Sequence, residues 1–344
     1  MRSVLYLLLL PAALFVSGCH AAAPPQRFGS LGDLKLESGD VVRNCKIGYR
    51  TFGALNADKS NAVLFPTWFS GRSDDLIQYM TANGLVDPAH YFVIAVDAIG
   101  NGVSSSPSNS TEQPRMVFPK FTVHDMVDAE YHLVKDVLGI PHLHAVMGIS
   151  MGGMQTFQWV LSYPDFVDRA VPIVGSPRLT TTDMLLWTAE ADAITESADW
   201  NRGNYQHQPT VRAVGDIHAF ALTTPAYRAR STPPGDFPAF VKQIDAAPLG
   251  RIDANDWLRQ LQAMMSLDVA KPYGESLANA AHAVKAKMLI VMAKQDHMVN
   301  PGPAREFAAA IGAPTVEMES DCGHISPACE KDMLYPRVRA FLDQ

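Results

Sequence analysis

The chain predicts an α/β fold, with a mostly parallel sheet flanked by helices and a helical insertion. Three observations lead there. Apolar runs at residues 62–65 and 91–96, and at 169–174 and 287–293 after the leading Arg169 and Lys287, read as strands buried on both faces, as parallel strands are. Helical patterns separate these runs, which is the signature of strand–helix–strand units. From residue 178 to 284 the strand runs stop, and helical stretches broken by Pro/Gly loops replace them.

Taken in order, residues 34–37 and 46–52 read as antiparallel strands around the turn Glu37-Ser38-Gly39-Asp40. A polar loop at 55–60 leads into the run at 62–65. Residues 66–75 form a loop rich in Gly, Ser and aromatics, and a helix begins at 76–80. The run at 91–96 ends in a turn sequence, Asp97 to Gly102. Residues 122–138 have helical spacing: Val123, Met126, Val127, Val134, Val137 and Leu138 line one side, and Gly139 stands where a C-terminal cap belongs. The insertion carries helices at 183–198 and 256–265. A strand at 287–293, a helix at 303–311, a strand at 315–319 and a helix at 332–342 follow.

The sharpest local signal is Gly148-Ile149-Ser150-Met151-Gly152, a G-x-S-x-G elbow between an apolar run and a helix that stops at Tyr163-Pro164. In that setting the serine is held with its hydroxyl exposed above a helix N-terminus. A serine hydroxyl needs a base, and the base needs an orienting carboxylate. In the α/β-hydrolase arrangement these follow in the order Ser, Asp/Glu, His, at the C-terminal ends of strands. Asp296 follows the strand run ending at Ala293, and His324 follows the strand at 315–319. Asp321 and Glu330 are alternative carboxylates, and His297 is the rival histidine. The oxyanion donors expected are the backbone N–H groups of Met151 and of Phe69, with Trp68 second.

Composition sets the surroundings. The chain has 344 residues, 47% of them hydrophobic, and a net charge of −7. That suffices for one large core with an inserted subdomain. No Lys/Arg block occurs, which argues against nucleic acid as a partner. The body holds no apolar stretch long enough to span a membrane. Residues 1–18 read as a signal peptide: Arg2, an apolar run at 4–15, then small residues. Val16-Ser17-Gly18-Cys19 is similar to the lipobox of bacterial lipoproteins, in which the cysteine is lipidated. Cleavage near Ala21-Ala22-Ala23 is the alternative. The expected location is therefore outside the cytoplasm, periplasmic or anchored to the outer membrane by lipid on Cys19. The expected division is a tether at 19–30, core at 31–177, helical lid at 178–284 and core at 285–344. Cys322 and Cys329 are seven apart and could pair in an oxidising compartment. No cysteine has metal-ligand spacing with histidine, so no zinc site is expected, and the expected site uses no metal or cofactor.

Further motifs carry a resemblance. Ile47-Gly48-Tyr49-Arg50-Thr51-Phe52-Gly53-Ala54-Leu55-Asn56, Tyr91-Phe92-Val93-Ile94, Phe118-Pro119 with Thr122 and Asp125, Gly148 through Gln155, Tyr163-Pro164-Asp165 and Gly323-His324 resemble the homoserine O-acetyltransferase family of α/β hydrolases, from about residue 47 onward. The resemblance implies an acyl-enzyme on Ser150, the same triad, a helical lid and often a homodimer through that lid. Three departures matter. The family places Asp after the catalytic His to hold the substrate amine; here Ile325 stands there. The family's lid has an Arg with a Tyr seven residues on; Arg212 matches the Arg as a substrate-carboxylate ligand, but Ala219 replaces the Tyr. The oxyanion loop reads Thr67-Trp68-Phe69 instead of His-Ala-Leu. The expectation is a serine hydrolase acting on a small ester or thioester. Its alternatives are an O-acyltransferase with another acceptor, and a tethered binding protein without activity.

Overall fold

The computed structural model describes residues 23–246 and 251–344; the leader and Cys19 lie outside them. Among the described residues nine strands form one sheet: β1 (Arg27–Lys35), β2 (Val41–Phe52), β3 (Ala62–Pro66), β4 (Phe92–Val96), β5 (Leu143–Ile149), β6 (Val167–Ile173), β7 (Lys287–Met288), β8 (Ile290–Ala293) and β9 (Thr315–Met318). The order is β1-β2-β4-β3-β5-β6-β8-β9, with β7 also pairing β6. β1 and β2 pair antiparallel, as do β2 and β4, and all later pairings are parallel. The chain leaves β3 for its neighbour β4 on one side and returns to β5 on the other. Such a reversal opens a crevice beyond the C-terminal strand ends, and ligands bind there.

The central strands are buried on both faces, which explains their apolar runs, broken in β5 only by His144, whose Nε2 lies 2.8 Å from Leu342 O. Leu64, Ile94 and Val146 face α1 (Val123–His132) and α2 (Met151–Ser162), where Met126, Phe157 and Trp159 are buried. Val63, Phe65, Val93 and Met147 face the opposite way. There they join Leu334, Val338 and Phe341 of the last helix, residues 331–342.

Between β6 and β7 the described residues form helices. They are α3 (Thr181–Thr195), α4 (Arg212–Leu222), α5 (Pro225–Ser231), α6 (Phe237–Ala246), α7 (Ala254–Met265) and α8 (Leu277–His282). The rest of the core adds α9 (Gly302–Ile311), α10 (Ser326–Cys329) and α11 (Lys331–Leu342). Buried polar contacts join α7 to the core. The Arg259 guanidinium donates to Phe118 O, and Gln260 bridges Ile99 O and Ser70 N. Ser108 donates its N–H and hydroxyl to Asp256, whose carboxyl is pushed up to about 7 by burial.

Several local expectations need correction. Residues 27–30, expected in the tether, belong to β1, because Arg27 and Phe28 find backbone partners at Tyr49 and Gly48. The helix expected at 76–80 is a single 3-10 turn, Ile77–Tyr79, ended by Met80, which bridges to Val86. The helix at 122–138 is α-helical only to His132, and Leu133–Val137 widens to a π turn. The strand at 287–293 breaks at Leu289, whose N–H turns to Ala170 O.

Candidate active site

Ser150 is the single residue between β5 and α2, with φ 57° and ψ −120°. That left-handed φ is strained for a non-glycine residue and holds only where the surroundings fix it. Here Ser150 N–H donates to Ile173 O on β6 at 2.8 Å, and Met154 N–H closes the first helical turn onto Ser150 O at 2.9 Å. Gly152 lets the elbow pass under the β3 loop: a Cβ there would meet Pro66 O at 2.6 Å. Gln155, buried on α2, donates to Thr67 O at 3.0 Å and ties the elbow helix to that loop.

The structure brings the three separated residues together. His324 sits on a 3-10 turn after β9, with Nε2 2.8 Å from Ser150 Oγ and Nδ1 2.7 Å from Asp296 Oδ2. Asp296 follows β8, and its Oδ1 accepts the N–H groups of Met298 at 2.9 Å and Val299 at 3.0 Å. The carboxylate is thus fixed at one oxygen and offers the other to the imidazole. Because a carboxylate only accepts, Nδ1 carries the proton and Nε2 is left to accept from Ser150. Both Asp296 and His324 are buried.

The other candidates fall elsewhere. His297 is exposed. Asp321 pairs with Arg230, which holds its carboxyl below the ordinary range, and Glu330 accepts Ser320 N–H at 2.7 Å. A disulfide joins Cys322 and Cys329, bracketing His324. Cys45 is buried and free, and burial pushes its thiol up to about 12. Glu37, His124 and Asp125 bring ligand atoms within 4.8 Å of one another, but Asp125 is engaged in the capping box of α1.

Met151 opens α2 directly after Ser150, so its N–H belongs to the orphan donors of a helix start. In the β3 loop, Thr67 N–H is held by Val96 O and Ser70 N–H by Gln260. The Phe69 and Trp68 N–H groups meet no acceptor among the described residues. The Phe69 ring is clamped edge-on against Trp257, with centroids 4.6 Å apart.

A cleft of about 290 Å³ opens on Ser150 and His324. Its walls include Phe69, Trp187, Leu222, Met298 and Ile325. Arg212 does not line it. This residue is exposed at the first turn of α4, whereas His218 and Leu222 of the same helix face the cleft. Six residues of helix place Arg212 roughly 9 Å along the axis and about 240° around it from His218. Ala219, one residue on from His218, lines a separate groove of about 740 Å³ beside α5 and α6. The motif-based reading missed His218 and its partner Glu190. His218 Nδ1 lies 3.1 Å from Glu190 Oε1, and no local spacing signals a pair 28 residues apart.

Comparison with known proteins agrees with this architecture. Residues 63–328 match the alpha/beta hydrolase fold family. The chain is 34% identical over 279 residues to an ethyl acetate hydrolase of Pseudomonas veronii, covering 78% of this chain and 79% of that protein. It is 31% identical over 350 residues to a homoserine O-acetyltransferase of Geotalea daltonii, covering 90% and 95%. The crystal structure of an acetylester hydrolase from Corynebacterium glutamicum superposes with a TM-score of 0.83 at 29% identity, covering 92% and 95%. This chain therefore belongs to the α/β-hydrolase family, in the group that holds esterases and homoserine O-acetyltransferases.

Proposed function

We propose that the protein is an exported serine esterase that hydrolyses small esters or thioesters through an acyl-enzyme on Ser150. The observation that carries this is the chain of contacts from Asp296 through His324 to Ser150 Oγ, at 2.7 and 2.8 Å, on the floor of a small apolar cleft. Ser150 attacks the carbonyl carbon as His324 Nε2 takes its proton. Asp296 holds the tautomer and stabilises the imidazolium. The N–H groups of Met151 and Phe69 take the developing oxyanion. His324 returns the proton to the leaving alkoxide. Water, activated by the same imidazole, then releases the acid.

Ile325 favours an uncharged substrate. It lines the cleft beside His324, and an ammonium against it would stay unpaired in an apolar pocket, at several kcal/mol. The similarity to an ethyl acetate hydrolase supports acetate esters as substrates. The same acyl-enzyme could pass to an alcohol instead of water, as the likeness to homoserine O-acetyltransferases suggests. Purified protein supplied with ethyl acetate, p-nitrophenyl acetate and acetyl-CoA, with and without homoserine, separates the two. Acid release unaffected by homoserine is expected. Ester synthesis exceeding hydrolysis when homoserine is added would overturn the reading.

The leader and Cys19 support export and lipid anchoring, outside the described residues. Radiolabelled palmitate incorporated by wild type but not by Cys19→Ala would be the supporting result. Exposed Phe220 and Phe237, at the groove of α4 and α6, support a homodimer through the lid, which sedimentation of Phe220→Ser would test.

A further inference from the structure

Three lid helices converge on one carboxylate. Glu190 of α3 is fully buried. Its Oε2 accepts Trp257 Nε1–H from α7 at 3.1 Å, and its Oε1 faces His218 Nδ1 of α4 at 3.1 Å. A carboxylate holds no proton to give, so the proton in the second contact is on Nδ1. In the neutral imidazole that leaves the lone pair on His218 Nε2. That atom has no partner among the described residues, and the side chain is 24% exposed, on the cleft that holds Ser150. Phe69, Trp187 and Trp257 surround the imidazole, with centroids 6.0, 6.4 and 5.3 Å away. Packing fixes the ring from the sides and Glu190 fixes it from behind.

Tying the three helices together requires only the Nδ1 edge. The opposite edge is a fixed acceptor open to a mostly apolar cleft, where water or a substrate donor can reach it. We infer that His218 is a specificity residue that accepts a hydrogen bond from a substrate hydroxyl away from the scissile carbonyl, so the preferred substrates are small hydroxylated esters. This rests on the esterase reading above. A hydroxyl is the matching group because it can donate to Nε2 without bringing a charge into the cleft.

The test uses isosteric pairs. 2-Hydroxyethyl acetate against propyl acetate places the hydroxyl on the alcohol side. Methyl 3-hydroxypropanoate against methyl butanoate places it on the acyl side. Wild type is expected to favour the hydroxylated member of at least one pair by about tenfold in kcat/KM, the scale of one hydrogen bond lost from a site that water can partly refill. His218→Phe should bring that ratio to within about twofold of one. Glu190→Gln supplies a readout that a purely structural role would not move. Trp257 Nε1 only donates, so the new amide must turn its oxygen to Trp257 and its NH2 to His218 Nδ1. The imidazole proton then moves to Nε2, and 2-methoxyethyl acetate, which can only accept, should gain on butyl acetate. A wild-type ratio near one for both pairs would overturn the inference, as would a ratio kept in His218→Phe. A preference for acetoxyacetate would also overturn it, because that anion requires a charged imidazolium. Even turnover of all esters sinks this inference alone, whereas no turnover of any ester sinks the esterase reading with it.

Discussion

Gly148 and Gly152 lie so close at the elbow that a Cβ on Gly148 would stand 2.3 Å from the carbonyl carbon and oxygen of Gly152. Both neighbours are backbone, so nothing flexible can yield. Gly148→Ala should therefore destabilise the fold by about 3 kcal/mol or more, at the upper end of overpacking effects. Gly235→Ala, where no atom lies within 4 Å of the added methyl, should stay within about 0.5 kcal/mol of wild type. Urea midpoints of the two variants check the contrast.

Asp296 makes different use of its two oxygens, and Asp296→Asn should expose that difference. Met298 and Val299 present N–H groups to one oxygen, so the asparagine oxygen stays with them. Its NH2 then faces His324 Nδ1 and forces the proton onto Nε2, which can no longer accept from Ser150. Turnover should fall by about 10⁴-fold with the fold intact, the scale of the wrong tautomer in a serine triad. Burst kinetics with p-nitrophenyl acetate, alongside circular dichroism, measure both; a loss under tenfold would remove Asp296 from its orienting role.

The Cys322–Cys329 bridge closes a short loop around His324, and exposed Cys329 makes it accessible to reductant. Closing a loop of that length contributes about 2–3 kcal/mol by restricting the unfolded chain. Cys322→Ser with Cys329→Ser should lose that amount in chemical denaturation. It should also lower turnover more than ester KM, because the loop positions the base. Equal stability with and without the bridge would show that it is incidental.

Glu130 sets a pH dependence of stability. Its side chain is buried, with Trp159 Nε1 donating to Oε2 at 2.7 Å and no partner on Oε1 among the described residues. Burial raises its carboxyl from 4.5 to about 8. The folded state therefore holds a proton that the unfolded state releases, so stability falls as pH rises from about 4.5 towards about 8. The slope is at most about 1.4 kcal/mol per pH unit. Glu130→Gln keeps an acceptor for Trp159 and removes that slope. Wild type should lose urea midpoint relative to the variant between pH 5 and pH 8, and parallel curves would contradict the assignment.

Ser150 was legible because G-x-S-x-G constrains backbone within five residues. Asp296 and His324 were legible because strand order alone places loops at one edge of the sheet. Arg212 is read from its place in a lid motif, and it does not line the cleft that His218 and Leu222 of the same helix reach. His218 and Glu190 could not be read: their pairing depends on how α3 packs against α4, and helix–helix packing leaves no local periodicity to find. The 3-10 turn at Ile77–Tyr79 shows the same limit, since four apolar or aromatic residues in five (76–80) suggested a helix that the neighbouring loop cuts short.

Fluorophosphonate labelling with peptide mass mapping reports whether Ser150 is the nucleophile. Wild type should carry a single adduct on the peptide containing Ser150, and Ser150→Ala, His324→Ala and unfolded protein should carry none. Equal labelling of wild type and Ser150→Ala would contradict the account.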